Sequence, residues 1–395
     1  MKQGWEIKKL KEVCEIVNGG TPDTNVQKYW DGENLWITPK DMGKLESIYV
    51  EDTLRKITDE GLKNSSAKIL PINSIILSSR APIGHLAINK KPISTNQGCK
   101  GLVPKKEIST LFLYYFLSKS IDLLNSLGTG ATFRELSGSK LETVEIPLPP
   151  LPDQQRIVAR VEEIFASVAK EKANAEQNLK NAKELFESYL ESVFENKHKN
   201  WEYKELSDIC ELIMGQSPPG KSYNTNNHGV PLINGPVEFG KEPFSKTIKS
   251  KFTTEPTKYC KENDLILCVR GSTTGRINIA GFNACIGRGV AAIRYSKNQV
   301  WLNYFIRASR QKIYYLGQGA TFPNVSTDIL KKLIIPLPPY SEQQFIVQKL
   351  DALSAETKKL EAIYQKKIED LEELKKSILR KAFAGELKTT KTITV

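Results

Sequence analysis

One phrase occurs twice in this chain. Residues 146–158 read IPLPPLPDQQRIV and residues 335–347 read IPLPPYSEQQFIV, 189 positions further on. Self-similarity at a fixed spacing constrains architecture more than any composition does, because each copy must build the same kind of unit. The match is wider than the phrase. GTGATF (128–133) faces GQGATF (317–322), and Leu185, Ser188, Leu190 and Phe194 face Leu374, Ser377, Leu379 and Phe383. The starts agree too, WEIKKLKEVCEIVNGGTP (5–22) against WEYKELSDICELIMGQSP (201–218), now at an offset of 196, so the second copy is shorter in its interior.

Each copy has a variable front and a closely matched back. The fronts mix short apolar runs, SIILSSR and DLILCVR, with Gly, Pro and Asn turn signals and two helical stretches, STLFLYYFLSKSIDLLNSL and VWLNYFIRASRQKIYYL. They read as α/β domains over 1–150 and 200–340. The backs repeat apolar residues every three or four positions: Ile157, Val161, Ile164, Val168, Ala175, Ala182 and Tyr189 in one, and Ile346, Leu350, Leu353, Thr357, Leu360, Tyr364, Leu371, Leu374 and Ile378 in the other. That is the pattern of an amphipathic helix with a heptad-like seam, expected over 151–199 and 341–387 with a short tail at 388–395.

The repeated phrase is then a hinge. Pro149, Pro150 and Pro152, or Pro338 and Pro339, block helix upstream, and Ser341 with Gln344 fits a capping box that starts one. From Pro152 an unbroken helix would extend roughly 65 Å. Two equally long helices, each apolar along one stripe, pair most simply as an antiparallel coiled coil, with polar Asn178 and Lys367 at equivalent seam positions suited to fixing register. The expected fold class is mixed α/β: two globular domains joined by two long helices in an internal pseudo-two-fold repeat.

Net charge is +12, which favours a polyanionic partner, and its distribution says more. The two fronts carry +3 and +8, whereas the segments after them carry −1 and +2. Six cysteines without C-x-x-C spacing and three histidines do not suggest zinc; the cysteines read as reduced, mostly buried thiols. GTGATF ends in Phe133 where a dinucleotide fingerprint needs Gly, and GSTTG (271–275) lacks the Lys-Ser/Thr of a P-loop. LPPY (337–340) lacks the Asn, Asp or Ser that opens an amino-methyltransferase signature. His85, His198 and His228 are isolated, and no carboxylate pair stands out as a catalytic acid and base. No apolar run is long enough for a membrane span, so a cytoplasmic chain with no membrane partner is expected.

Taken together, WEIKKLKEVCEIVNGGTP, LWITPKDM, the GATF stretch leading into the hinge, and the ending LRKAFAGEL (379–387) resemble the specificity (S) subunit of type I restriction-modification systems. The resemblance covers essentially the whole chain. It implies two target-recognition domains, each reading half of an asymmetric bipartite site on double-stranded DNA, held apart by the paired helices. It also implies two methylation subunits docked on the helices, with motor-nuclease subunits able to join. S-adenosylmethionine, ATP and Mg would then belong to those partners and no cofactor to this chain, whose task is recognition without catalysis. Two other readings stay open: a coiled-coil scaffold that joins proteins without reading DNA, and the specificity part of a related restriction system.

Base reading needs Arg, Lys, Asn or Gln on loops, with hydroxyls and amides for phosphates. The candidate DNA contacts are Thr38, Lys40, Arg80, Asn96, Gln97, Thr132 and Arg134 in the first copy, and Gln216, Asn234, Arg270, Arg276, Arg288 and Thr321 in the second. Arg80 and Arg270 follow equivalent apolar strands. Trp5 and Trp201, matched across the repeat, are expected in the cores rather than at DNA.

Overall fold

Each copy closes on itself before its long helix begins. In the computed structural model, which describes residues 4–130, 134–196, 199–317 and 324–387, strand Glu6–Lys9 pairs antiparallel with Glu145–Leu148 and sets Ile7 opposite Pro147. In the second copy Glu202–Glu205 pairs with Ile334–Leu337, with Tyr203 opposite Pro336. The two best-matched phrases of the repeat are therefore ladder partners, and a two-stranded ribbon tolerates the proline that a central strand would not. Trp5 and Trp201, beside these ribbons, are each 7% exposed and sit in the cores.

The chain divides into two units. One runs up to Ala175 and includes the residues from Lys366 onward; the other is Glu176–Gln365. Each contains one α/β domain and a portion of both long helices.

In the first unit the main sheet has the strand order Cys14–Asn18, Cys99–Pro104, Ile75–Ser79, Ile83–Asn89, Tyr49–Val50. A smaller sheet joins Arg55–Ile57, Trp30–Ile37 and Ile93–Thr95, the last two running parallel. The second unit repeats this with Glu211–Met214, Val290–Arg294, Leu265–Cys268 and Ile277–Ile279, and its parallel pair is Val230–Ile233 with Ala284–Ile286. The apolar runs that marked the central strands are explained by burial on both faces. Ile75 and Leu77 enter one core and Ile76 another, as Leu265 and Leu267 do against Ile266 and Cys268. The two long apolar stretches form helix pairs rather than single helices. Thr110–Lys119 and Ile121–Leu127 break at Ser120, and Gln299–Ala308 and Arg310–Leu316 break at the equivalent Ser309.

The hinge works through one glutamine. Gln154 is fully buried: its Nε2 donates to the carbonyls of Pro149 and Glu107, both at 2.9 Å, and its Oε1 accepts from the Ser109 N–H at 2.8 Å. Its counterpart Gln343 donates to Pro338 O at 2.9 Å and accepts from Asn298 Nδ2 at 3.1 Å, while Asn298 caps the Gln299–Ala308 helix. Ser341 does not cap. The helix is already formed at Tyr340, and the Pro339 carbonyl accepts from the N–H groups of Glu342 and Gln343. The first glutamine of the QQ pair, not the second, is the one the fold uses.

The long helices are Leu151–Glu195 and Tyr340–Ala384, 45 residues each. Among the described residues no helix is long and apolar enough to cross a membrane. Within the first unit they run antiparallel, with Lys172 paired to Glu372 and Lys367 to Glu171, both at 2.7 Å, and Val161 sharing a core with Leu379 and Phe383. Phe383 packs on Phe112 at 4.9 Å between centroids. The second unit makes the counterpart contact, Phe194 on Trp301 at 4.8 Å. Burying such a ring contributes about 1.5–3 kcal/mol.

The seam departs from the heptad reading. Tyr189, Leu360 and Leu374 are 39–41% exposed, whereas Phe186 and Leu190 are buried. A straight helix drifts about 20° per heptad, and the helix ends turn their apolar residues toward a domain as well as toward each other. Asn178 is exposed, and Lys367 reaches Glu171 from an exposed position, so neither polar residue occupies the apolar interface.

Both the hinge amide and a helix ion pair can be put to the test. Gln154→Leu keeps the volume but strands two carbonyls and one N–H in the interior, and should cost about 2–3 kcal/mol in urea unfolding. The Lys172 hydrogen bond holds the Glu372 carboxyl below its usual range. A carboxyl with a depressed folded-state pKa adds stability above its unfolded value near 4.3, and that stability is lost as pH falls through the folded value. Glu372→Gln should therefore lower stability at pH 7 and flatten the acid limb below about pH 5. Because the side chain is 43% exposed, solvent screening limits the difference to about 0.5 kcal/mol. Thermal melts from pH 3 to pH 7 measure it.

Candidate nucleic-acid interface

Two glycines make the site possible. In the first unit the loop leaving Cys14–Asn18 crosses the loop leaving Ile93–Thr95 so closely that a Cβ on Gly19 would lie 1.9 Å from the carbonyl oxygen of Asn96. In the second unit a Cβ on Gly215 would lie 2.1 Å from the carbonyl oxygen of Gly287. Hydrogen bonds hold each crossing: Gly20 N to Thr95 O at 2.8 Å in one, and Gln216 N to Ile286 O at 3.0 Å in the other.

The crossings set equivalent residues side by side. The Thr21 hydroxyl donates to Gln97 Oε1, and in the second unit the backbone N–H of Arg288 donates to Ser217 Oγ at 3.3 Å. Thr21 and Ser217 correspond, and so do Gln97 and Arg288. The same backbone frame thus presents a neutral amide in one copy and a guanidinium in the other, both exposed.

The other first-copy candidates divide by how committed they are. A Cβ on Gly98 would meet Pro39, the Arg80 Nε and the Asn96 Oδ1 at 3.0–3.2 Å, so Arg80 and Asn96 crowd one spot next to the helix that carries Lys40. Arg80 stands 3.9 Å from Glu135, a loose pair on a side chain 36% exposed. Asn96 Oδ1 accepts from Gly98 N at 2.9 Å. Thr38 caps the Pro39–Met42 helix, and its hydroxyl donates to Asp41 at 2.7 Å. Lys40 and Arg134 are exposed.

In the second unit Asn234, Arg270 and Arg288 line one open cleft of ≈ 630 Å³ with Ser217 and Tyr223. Gln216 is exposed beside it on the glycine crossing. Arg270 forms an isolated antiparallel backbone bridge with Asn324, as Arg80 does with Glu135. Arg276 is engaged within the domain: its Nη2 donates to Gly240 O at 3.0 Å and its guanidinium lies 5.8 Å over Phe239. Thr132 and Thr321, with Ala131, Phe133 and the whole second GATF phrase, lie outside the described residues, as does His198. Sequence reasoning missed Thr21, Ser217 and Tyr223. The signal was present in NGGTP against MGQSP, a glycine followed two positions later by a hydroxyl in both copies.

Other polar features are structural. Arg294 grips the buried Asp264 carboxylate with two hydrogen bonds of 2.7 Å. All six cysteines are free, and burial pushes Cys14 and Cys99 up to about 12 and Cys260 and Cys268 up to about 11, so these four are thiols at neutral pH and poor nucleophiles. Among the described residues no group of three His, Cys, Asp or Glu is placed to hold a metal ion.

Comparison with known proteins agrees with this tandem architecture. The family model for the type I restriction modification DNA specificity domain matches residues 2–181 and again 198–370, so the chain belongs to that family. The MjaIX specificity subunit of Methanocaldococcus jannaschii is 31% identical over 97% of this chain and 94% of that protein. The EcoR124I/EcoR124II specificity subunit of Escherichia coli is 34% identical over 39% of each chain. A solved chain from work on complex assembly and conformational transition of the type I R-M system superposes with a TM-score of 0.79 at 25% identity, covering 98% of this chain and 99% of that one. The HsdS subunit from Thermoanaerobacter tengcongensis shares the fold with a TM-score of 0.62, 24% identity and 98% of both chains.

The glycine crossings lend themselves to a direct test. Gly19→Ala or Gly215→Ala forces a Cβ into backbone, which cannot yield as a side-chain tip can, and each should lower stability by at least about 1–3 kcal/mol. Urea midpoints of the two variants against the parent measure this.

Proposed function

We propose that this chain is the DNA-reading subunit of a type I restriction-modification enzyme and recognises an asymmetric, bipartite site on double-stranded DNA. Residues 1–150 and 200–340 serve as its target-recognition domains, one per half-site. The helices over 151–199 and 341–387 serve as the frame on which two methylation subunits dock and which motor-nuclease subunits can join. S-adenosylmethionine, ATP and Mg²⁺ belong to those partners, and this chain contributes recognition without catalysis, in the cytoplasm where the chromosome is accessible.

The observation that carries the reading is the pair Gln97 and Arg288. One frame, built twice by a glycine crossing, offers different hydrogen-bonding groups at the same place. Gln suits adenine and Arg suits guanine in the major groove, each bidentate contact being worth about 1–3 kcal/mol of discrimination. Two homologous domains with different readers accordingly favour two different half-sites. Arg80, Arg270 and Lys40 supply phosphate attraction, with Asn96, Arg134, Asn234 and Gln216 at the rim. Thr38 acts through the turn it caps and Arg276 through the loop it holds. A scaffold that never meets DNA has no use for charge concentrated in the diverged domains.

A methylation map of cells that express the methylation subunit, with and without this chain, is the decisive measurement. One bipartite motif modified only when the chain is present is the expected result; a complex that forms without any chain-dependent motif favours the scaffold. Arg80→Glu or Arg270→Glu should leave assembly with the methylation subunit at parental yield and weaken target-duplex affinity by at least tenfold, about 1.4 kcal/mol. Fluorescence anisotropy with the assembled complex reads the affinity.

A further inference from the structure

One buried carboxylate fixes the turn that borders the second domain's cleft. Glu238 is 1% exposed. Its Oε2 accepts from the backbone N–H groups of Asn234 and Gly235, both at 3.2 Å. Its Oε1 accepts from Ser250 Oγ at 3.2 Å and stands 3.9 Å from the Lys251 ammonium. These bonds hold the backbone of the turn and use none of the Asn234 side chain. That side chain lies across the neighbouring loop, where a Cβ on Gly287 would come 1.9 Å from Asn234 Oδ1. Only a residue without a side chain leaves that place open, and the next residue along is Arg288. Asn234 is half-buried, yet among the described residues its amide has no hydrogen-bond partner. It lines the open cleft with Arg270 and Arg288, and among the described residues no carboxylate does. An amide fixed in place with donor and acceptor both unused is set for a partner from outside.

The first domain has the same device but engages the side chain in it. Asn96 N donates to Ile37 O at 3.0 Å, and Gly287 N donates to Ile233 O at 2.9 Å, so Thr38 matches Asn234 and Asn96 matches Gly287. Asp41 Oδ2 accepts from Thr38 N at 3.1 Å, as Glu238 does from Asn234, but its second bond comes from the Thr38 hydroxyl. Sequence supplies the reason. Pro39 follows Thr38 and has no N–H to offer, whereas Gly235 stands between Asn234 and Pro236 and provides one. Asn96 has its own Cβ where Gly287 leaves room, and its Oδ1 accepts from Gly98 N at 2.9 Å. The carboxylate thus consumes the side chain in one copy and releases it in the other.

We infer that Asn234 reads an adenine in the half-site of the second domain, with its amide positioned by Glu238 and Gly287. In the major groove an asparagine amide accepts from the adenine N6 amino group and donates to N7. The inference rests on the DNA-reading role proposed above. It gives the second domain two unlike readers on one cleft, an amide for adenine beside the Arg288 guanidinium for guanine, so the half-site it selects contains an A·T pair.

The test uses the full chain assembled with its methylation subunit and a duplex bearing the mapped motif. Each adenine of the motif is replaced singly by 7-deazaadenine, which lacks the N7 acceptor and keeps Watson–Crick pairing. In the parent, one such replacement should weaken binding about tenfold. Asn234→Ala should weaken binding to the intact motif at least as much and abolish the response to that replacement, because both remove the same bond. Its thermal midpoint should match the parent's, since the N–H that Glu238 holds is retained. Gly287→Ala keeps Asn234 but puts a Cβ where its amide lies, and should lose the same response. Glu238→Ala should lose it too, while Glu238→Gln, which keeps an acceptor of the same shape, should retain it; should Glu238→Ala fail to fold, Gly287→Ala decides the positioning. If the parent and Asn234→Ala bind the motif alike and respond alike to every replacement, the adenine assignment is wrong while the DNA-reading role stands. If Asn234→Ala loses the response but Gly287→Ala keeps it, the positioning is wrong. A parent that binds its motif no better than an unrelated duplex overturns the DNA-reading role itself, and this inference with it.

Discussion

The buried amide of Gln154, and that of Gln343 in its counterpart position, is the joint on which each half of the molecule depends. A helix that starts after consecutive prolines has no side-chain cap to direct it, and its first carbonyls and N–H groups would be free to swing. The glutamine removes that freedom by bonding a hinge carbonyl on one side and the start of a domain helix on the other: Ser109 N in the first copy, Asn298 in the second. Because the group is buried, any other direction of the helix would leave polar atoms unsatisfied, at about 1–3 kcal/mol each. The prolines stop the domain, and the glutamine aims the long helix that leaves it.

Upstream of that joint, the ribbon of Glu6–Lys9 with Glu145–Leu148 brings the beginning of the domain to its end. The loops between the ribbon strands, apart from the segment at Glu107 and Ser109 that Gln154 holds, can therefore vary in length without moving the helix, which accounts for a second copy shorter in its interior. The glycine crossings do the equivalent task for the loops that carry the candidate contacts. A fixed backbone contact under 2.2 Å from a would-be Cβ sets the position of the loop, and the residues on either side are then free to differ. Rigid frame and variable side chain are separate physical objects here, a division that suits the proposed reading of two different half-sites.

The charges obey the same division. Arg294 on Asp264 and Arg276 on Gly240 hold loops together, while Arg270, Arg288, Lys40 and Arg134 stay at the surface. Net basicity therefore reports poorly on function residue by residue, since a salt bridge or a carbonyl can claim an arginine that looks available in the sequence.

Much of this was legible without coordinates. The repeat, the two domain-and-helix halves, the apolar strands and the placement of Arg80 and Arg270 after them all come from patterns a few residues long, because hydrophobic period and proline geometry act locally. What stayed hidden depended on contacts between distant segments. Ser341 looked like a cap, but the helix starts before it. Tyr189 and Leu374 fit a heptad that the real helix leaves, and Phe186 takes the interior place instead. Arg276 looked free until Gly240, 36 residues earlier, came into reach. The sequence by itself determined the class of elements and their doubling; the tertiary structure decided which polar groups are spent inside the fold and which remain for a ligand, because that choice is made by neighbours far apart along the chain.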